Sequence, residues 1–201
     1  MRLCTAAVNE SDSLTEGTCQ TDTTTSDIVH GDIKPQNVLI FNDSSRKYVA
    51  KMADFGYSTM AVNDSQTVLL PKSVPWHAPE HHHRNFKFCD AKKTDSYSLG
   101  MLCLWLLFQD RFQESLVTAG GAFQAEATSL PESLRIYSWL EQAKQEGKLR
   151  SISYDQIQMT AELDDEQKEA LKTFFDSILT HDPSDRSSDL KRIIPLLVQD
   201  E

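Results

Sequence analysis

Two short apolar runs constrain this chain most. Val38-Leu39-Ile40-Phe41 is followed, after the turn-rich Asn42-Asp43-Ser44-Ser45, by Tyr48-Val49-Ala50-Lys51-Met52-Ala53. Apolar runs of this length around a cluster of turn formers predict a β-hairpin. A hairpin brings the chain back on itself. Asn37 and Asp54, which flank the two runs, can therefore meet at one end of it.

The sequence on either side has a different texture. Residues 1–27 contain ten Ser or Thr, five acidic residues and one basic residue, Arg2, with no apolar periodicity. Such a stretch cannot bury enough surface to offset its ordering entropy, so a disordered polar leader is expected over 1–27. Residues 57–75 are rich in Ser, Thr and Asn and predict a loop. After Asp95, apolar residues at three- and four-residue spacing predict helices near 94–108, 132–147, 165–181 and 187–198. Leu171, Phe174, Phe175, Ile178 and Leu179 form one stripe, which reads as core packing. Pro195 should kink or end the last helix. The expected fold is mainly α with a small β-hairpin, an α+β arrangement in one domain over 28–201.

Charge and cysteines narrow the function classes. The formal net charge is −10, which disfavours polyanionic partners, so neither nucleic acid nor an anionic membrane is expected. Cys4, Cys19, Cys89 and Cys103 are widely spaced. They form neither a zinc pattern nor a disulfide framework and fit a reducing intracellular compartment, the cytoplasm. The longest apolar run, Leu99 to Phe108, is about half of what a membrane span needs, so it reads as a buried helix. No basic start followed by an apolar stretch marks a secretory signal.

The chemistry is concentrated in His30-Gly31-Asp32-Ile33-Lys34-Pro35-Gln36-Asn37, followed by Asp54-Phe55-Gly56 and then Ala78-Pro79-Glu80. A three-residue match arises often by chance. The three segments in this order and spacing resemble the catalytic loop, metal-binding triplet and activation-segment end of the eukaryotic-type protein kinases. Asp95-Ser-Tyr-Ser-Leu-Gly100 resembles the start of that family's buried central helix, and Asp182-Pro-Ser-Asp-Arg186 its late Asp-Pro-x-x-Arg motif. The resemblance covers about residues 28–199 and implies a kinase-like C-terminal lobe.

It also implies roles. Phosphoryl transfer asks a protein for positioning and charge neutralisation more than for covalent chemistry. Asp32 would meet the substrate hydroxyl and Lys34 would neutralise the transferring group. Asn37 and Asp54 would hold Mg²⁺ against ATP, and Leu39 would pack beneath the adenine. His30 and Phe55 would be structural. Asp95 would accept hydrogen bonds from the catalytic-loop backbone, and Glu80 would pair with Arg186. Ser73 lies where the family has a Ser or Thr that contacts the loop. Lys34 is typical of Ser/Thr-specific members. The run His81-His82-His83 invites a metal reading. Consecutive histidines point apart and no further ligand follows at spacing, so a solvated loop is expected.

Two departures qualify the resemblance. Gly31 stands where many kinases have an arginine that binds an activation-segment phosphate. Control through Ser58, Thr59, Ser65 or Thr67 is therefore expected to be weak. No Gly-rich phosphate loop and no lysine strand precede His30, so the N-terminal lobe is expected to be absent. The chain would then be part of a Ser/Thr kinase that acts on protein substrates when complete, or a lobe completed by another chain. The alternative is a catalytically silent pseudokinase or scaffold that binds a protein partner. On either reading, ATP should bind weakly to this chain alone, with little or no turnover.

Overall fold

The computed structural model describes residues 28–42, 48–60, 66–81, 85–118 and 131–194. The expected leader, most of the hairpin turn, His82, His83, Ser65 and Pro195 lie outside the described residues.

Among the described residues, six short strands pair in three antiparallel couples. β1 (Ile28–Val29) pairs with β4 (Thr59–Met60), β2 (Val38–Phe41) with β3 (Val49–Met52), and β5 (Thr67–Leu69) with β6 (Asn85–Lys87). The described residues then form the helices α1 (Phe88–Thr118), α2 (Glu132–Gln145), α3 (Leu149–Met159), α4 (Asp165–Ile178) and the short α5 (Leu190–Ile193). The fold is thus mainly helical with small antiparallel sheets. No described helix is long and apolar enough to cross a membrane.

α1 is the axis of the core. Its Tyr97, Met101, Leu104, Phe108 and Phe112 recur at helical spacing and are buried. α2 brings Ile136, Leu140 and Ala143 against this face, and α4 brings Phe174, Phe175 and Ile178. α1 and α4 approach closely at Gly100. A Cβ there would lie 2.9 Å from both Ile178 Cγ1 and Leu179 Cδ2, so only glycine permits this approach. α4 begins with a capping box. Asp164 accepts from the Gln167 amide at 2.8 Å, and the Gln167 side chain accepts from the Asp164 amide at 3.1 Å. A smaller cluster of Val29, Val68, Leu70, Phe86, Phe88 and Ala91 sits under the β5–β6 pair and the start of α1.

Several expectations are corrected. The helix expected at 94–108 runs from Phe88 to Thr118. Its first turns were obscured by Asp90, Lys92 and Lys93, while Phe88 and Ala91 carry the burial. The expected loop at 57–75 contains β4 and β5, too short to show an alternating pattern. α3 was not expected at all. Two of its four buried positions, Ser153 and Gln156, are polar, which hides a face completed by Leu149 and Ile157. α4 stops at Ile178 rather than 181, and Pro183 soon after disfavours helical backbone at Asp182. The expected hairpin is the β2–β3 pair, and two further strand pairs, β1–β4 and β5–β6, accompany it. His81 is buried, its ring 4.9 Å from that of Phe86, and is not the solvated loop residue expected.

Candidate functional site

The site starts where β1 ends. Val29 is buried, and Gly31 then turns the chain with a φ of +82°. A side chain is disfavoured there twice over. The backbone is left-handed, and a Cβ would meet Leu70 Cδ2 at 3.0 Å and the Tyr57 carbonyl oxygen at 3.2 Å. The turn is pinned to α1. The amides of His30 and Gly31 donate to Oδ2 and Oδ1 of Asp95 at 2.5 and 2.9 Å. Burial pushes the Asp95 carboxyl up to about 6, against the pull of these two amides, which favours the ionised form. At neutral pH it remains a carboxylate acceptor.

His30 braces the loop from the other side. Its Nε2 lies 3.1 Å from the carbonyl oxygen of Ala53, and its ring centroid is 5.1 Å from that of Phe55. The Asp32 amide donates to His30 Nδ1 at 3.3 Å. This sets the imidazole to accept at Nδ1 and donate from Nε2–H.

Asp32 is buried, and three side chains converge on its carboxylate. Ser73 Oγ donates to Oδ1 at 2.6 Å. Lys34 Nζ donates to Oδ2 at 2.6 Å, and Asn37 Nδ2 reaches the same oxygen at 3.3 Å. Asn37 also donates to the Asp32 carbonyl at 2.8 Å, which folds the Pro35–Asn37 3-10 turn back onto the loop. Lys34 Nζ is 3.4 Å from Ser73 Oγ, so two of the three partners also touch each other.

The hairpin then delivers Asp54 to the same end of the molecule. Val38 pairs with Met52, and the Ala53 amide donates to the Asn37 carbonyl at 2.8 Å, so Asp54 follows directly on the step that faces Asn37. Asp54 takes a φ of +59°, uncommon for a residue with a side chain but tolerated best by Asn and Asp. Its Oδ1 accepts from the Gly56 amide at 3.3 Å, and the residue is exposed. Asn37 Nδ2 serves Asp32, which leaves the Asn37 amide oxygen and the exposed Asp54 carboxylate as hard oxygen donors on the two residues that flank the hairpin. Such a pair fits Mg²⁺, which takes one or two protein oxygens and fills its other positions with phosphate and water. Among the described residues there is no cluster of three or more His, Cys, Asp or Glu that would instead suit a dedicated metal cage. Leu39, on β2, is 46% exposed.

Glu80 and Arg186 form a separate pair. Arg186 Nη1 and Nη2 donate to the two Glu80 oxygens at 2.6 and 3.1 Å. The arginine side chain is fully buried and Glu80 is 20% exposed. Arg186 also donates to the carbonyls of Thr180 and Lys93 and lies 4.7 Å from the Tyr97 ring centroid. The charge is thus fully hydrogen-bonded, as a buried guanidinium requires.

Residues missed in the sequence complete this segment. Lys144 of α2 is fully buried, pairs with Glu141 at 2.5 Å, and donates to the carbonyls of Pro75 and His77. Burial pulls Lys144 down to about 8 and His77 down to about 4. The available signal was a lysine falling on the same helical face as Ile136, Leu140 and Ala143.

The comparisons with known proteins agree in direction. Over 83 residues the chain is 34% identical to the LEAF RUST 10 disease-resistance locus receptor-like protein kinase-like 1.1 of Arabidopsis thaliana, covering 41% of this chain and 12% of that protein. It is 35% identical over 82 residues to the serine/threonine-protein kinase SBK1 of Danio rerio, covering 40% and 20%. It is 33% identical over 102 residues to the PTI1-like tyrosine-protein kinase 1 of Arabidopsis thaliana, covering 45% and 26%. The chain therefore spans only about an eighth to a quarter of the length of these relatives. The family model for the protein kinase domain matches residues 24–195, most of the chain, and the chain belongs to the protein kinase family.

Proposed function

We propose that residues 28–201 are the C-terminal lobe of a protein kinase that transfers the ATP γ-phosphoryl group to Ser or Thr hydroxyls of proteins. The observation that carries this is the buried Asp32 carboxylate, fixed by Ser73, Lys34 and Asn37 at the end of the hairpin that presents Asp54. Asp32 would orient the substrate hydroxyl and accept its proton as the oxygen attacks. Lys34, already between Asp32 and Ser73, would face the charge that develops on the transferring group. Asn37 and Asp54 would hold Mg²⁺, which when bound neutralises the phosphate oxygens. His30 and Asp95 would act by holding the loop backbone. Lys34 and the name of the zebrafish relative support Ser/Thr specificity.

ATP should bind this chain weakly. Leu39, proposed to pack beneath the adenine, is 46% exposed among the described residues, whereas ligand sites bury about 70–90% of a ligand. The test is an NMR titration with Mg²⁺ and ATP at millimolar concentration, paired with a radiolabelled transfer assay on a basic Ser-containing protein. Shifts at Asn37 and Asp54 that need both Mg²⁺ and ATP, and vanish in Asp54→Ala, are expected. Any transfer should fall at least 100-fold in Asp32→Asn. Transfer that survives that change would remove Asp32 from its role, and Mg²⁺-independent shifts would remove the metal assignment.

A further inference from the structure

The turn that carries Ser73 is held from behind by one lysine. Lys144 Nζ donates to the Pro75 carbonyl at 2.8 Å and the His77 carbonyl at 2.9 Å, and meets Glu141 Oε2 at 2.5 Å. The ammonium thus gives hydrogen bonds to two carbonyls and faces the Glu141 carboxylate as an ion pair. Both carbonyls belong to a segment 67 to 69 residues away in sequence. A buried charge is costly unless it is paired and bonded. What this lysine fixes in return is the course of the backbone between Ser73 and His77.

The turn is closed internally as well. The His77 amide donates to the Ser73 carbonyl at 2.9 Å, and His77 Nδ1 is 3.1 Å from the same oxygen. At the front of the turn, Ser73 Oγ donates to Asp32 Oδ1 at 2.6 Å. An unbroken chain of bonds therefore runs from α2 through the turn to the Asp32 carboxylate. We propose that Lys144 is a positioning residue for the phosphoryl-transfer site, holding the Ser73–His77 turn so that Ser73 fixes the Asp32 carboxylate. The inference rests on the role given to Asp32 above.

Burial, with Lys72, lowers Lys144 to about 8, while Glu141, one turn away on the same helix, and Glu80 pull the other way, so the lysine still carries its charge at neutral pH. His77, held neutral near pH 7 by burial, adds no second cation.

Two measurements on the full chain decide the matter without needing activity. In Lys144→Met, hydrogen exchange at residues 74–78 should speed up at least tenfold, with α4 unchanged within twofold. Lys144→Met/Glu141→Gln should behave alike, because it strands no carboxylate. The side-chain carboxyl ¹³C resonance of Asp32 should move in Lys144→Met. On a Ser73→Ala background the same change should leave it where Ser73→Ala put it. If α4 and the turn exchange faster together, Lys144 is a general core residue and the proposal fails. If the Asp32 resonance moves equally in both backgrounds, the route through Ser73 fails. A chain that transfers no phosphate yet gives the expected exchange and resonance changes would count against the proposed function and leave the positioning role standing.

Discussion

The helices and the hairpin spend similar side chains in opposite ways. Phe174 and Phe175 of α4 are fully buried, whereas Ile40 and Phe41 of β2 are 62% and 45% exposed. The difference is one of layers. α4 lays its stripe against α1, while β2 and β3 pair only with each other among the described residues. A two-stranded ribbon without a packed face is marginal by itself. Its order comes from its ends, where Asn37 and Ala53 are tied to the loop and to His30. Stability thus resides in the helices, and the candidate site lies at the seam where the weaker element is anchored to the stronger.

The contrast can be broken most forcefully in the core. Phe175→Ala should cost about 3–5 kcal/mol, measured by urea unfolding. Ile40→Ala should stay within about 0.5 kcal/mol. Equal costs at the two positions would show that the hairpin contributes as much as the bundle. Arg186→Ala should follow at about 3 kcal/mol, the lower end for a buried pair because Glu80 keeps some solvent contact. Most of that loss should disappear when Arg186→Ala is made on Glu80→Gln, which strands no charge.

Acidification should sharpen the picture at the turn. His77 has a folded-state pKa of about 4 against an ordinary 6.5, because burial disfavours its cation. Between these values the unfolded chain binds the extra proton, so stability is present above pH 6.5 and is lost as pH falls toward 4. Roughly 3 kcal/mol at most follows from this residue, and His77→Gln should remove that part of the slope. Asp95 works in reverse. Its pKa is raised to about 6, so protonation below pH 6 offsets some of the loss. Gly31→Ala should cost about 1–2 kcal/mol, because it puts a side chain on a left-handed backbone facing Leu70. A melt unchanged by Gly31→Ala would show that the turn relaxes freely.

Much of this was legible in the sequence because it is local or carried by an ordered set of motifs. The hairpin, the stripe on α4 and the Glu80–Arg186 pair each follow from residue type and spacing, or from resemblance in an ordered set of motifs. What was hidden depends on the third dimension. α3 buries Ser153 and Gln156, so its inward face is half polar and carries little periodicity. Lys144 reads as a surface residue until α2 is laid against the Pro75–His77 carbonyls. Gly31 reads as a missing arginine, whereas its φ of +82° and the nearby Leu70 give glycine a reason of its own to be there. His81 was assigned to solvent because its neighbours in sequence are histidines, yet its neighbours in space are Phe86 and His77.

The crowding around Asp32 has a consequence for any hydroxyl that approaches it. An ionised carboxylate offers about four lone-pair directions. On Oδ2, Lys34 and Asn37 occupy two of them, and on Oδ1 Ser73 occupies one. Among the described residues, one seat remains, on Oδ1 next to the serine. Under the proposed function, an incoming alcohol would therefore arrive on the Ser73 side, with its oxygen given a direction by the carboxylate. The carboxylate is less a free base waiting in solvent than a socket with a single open contact.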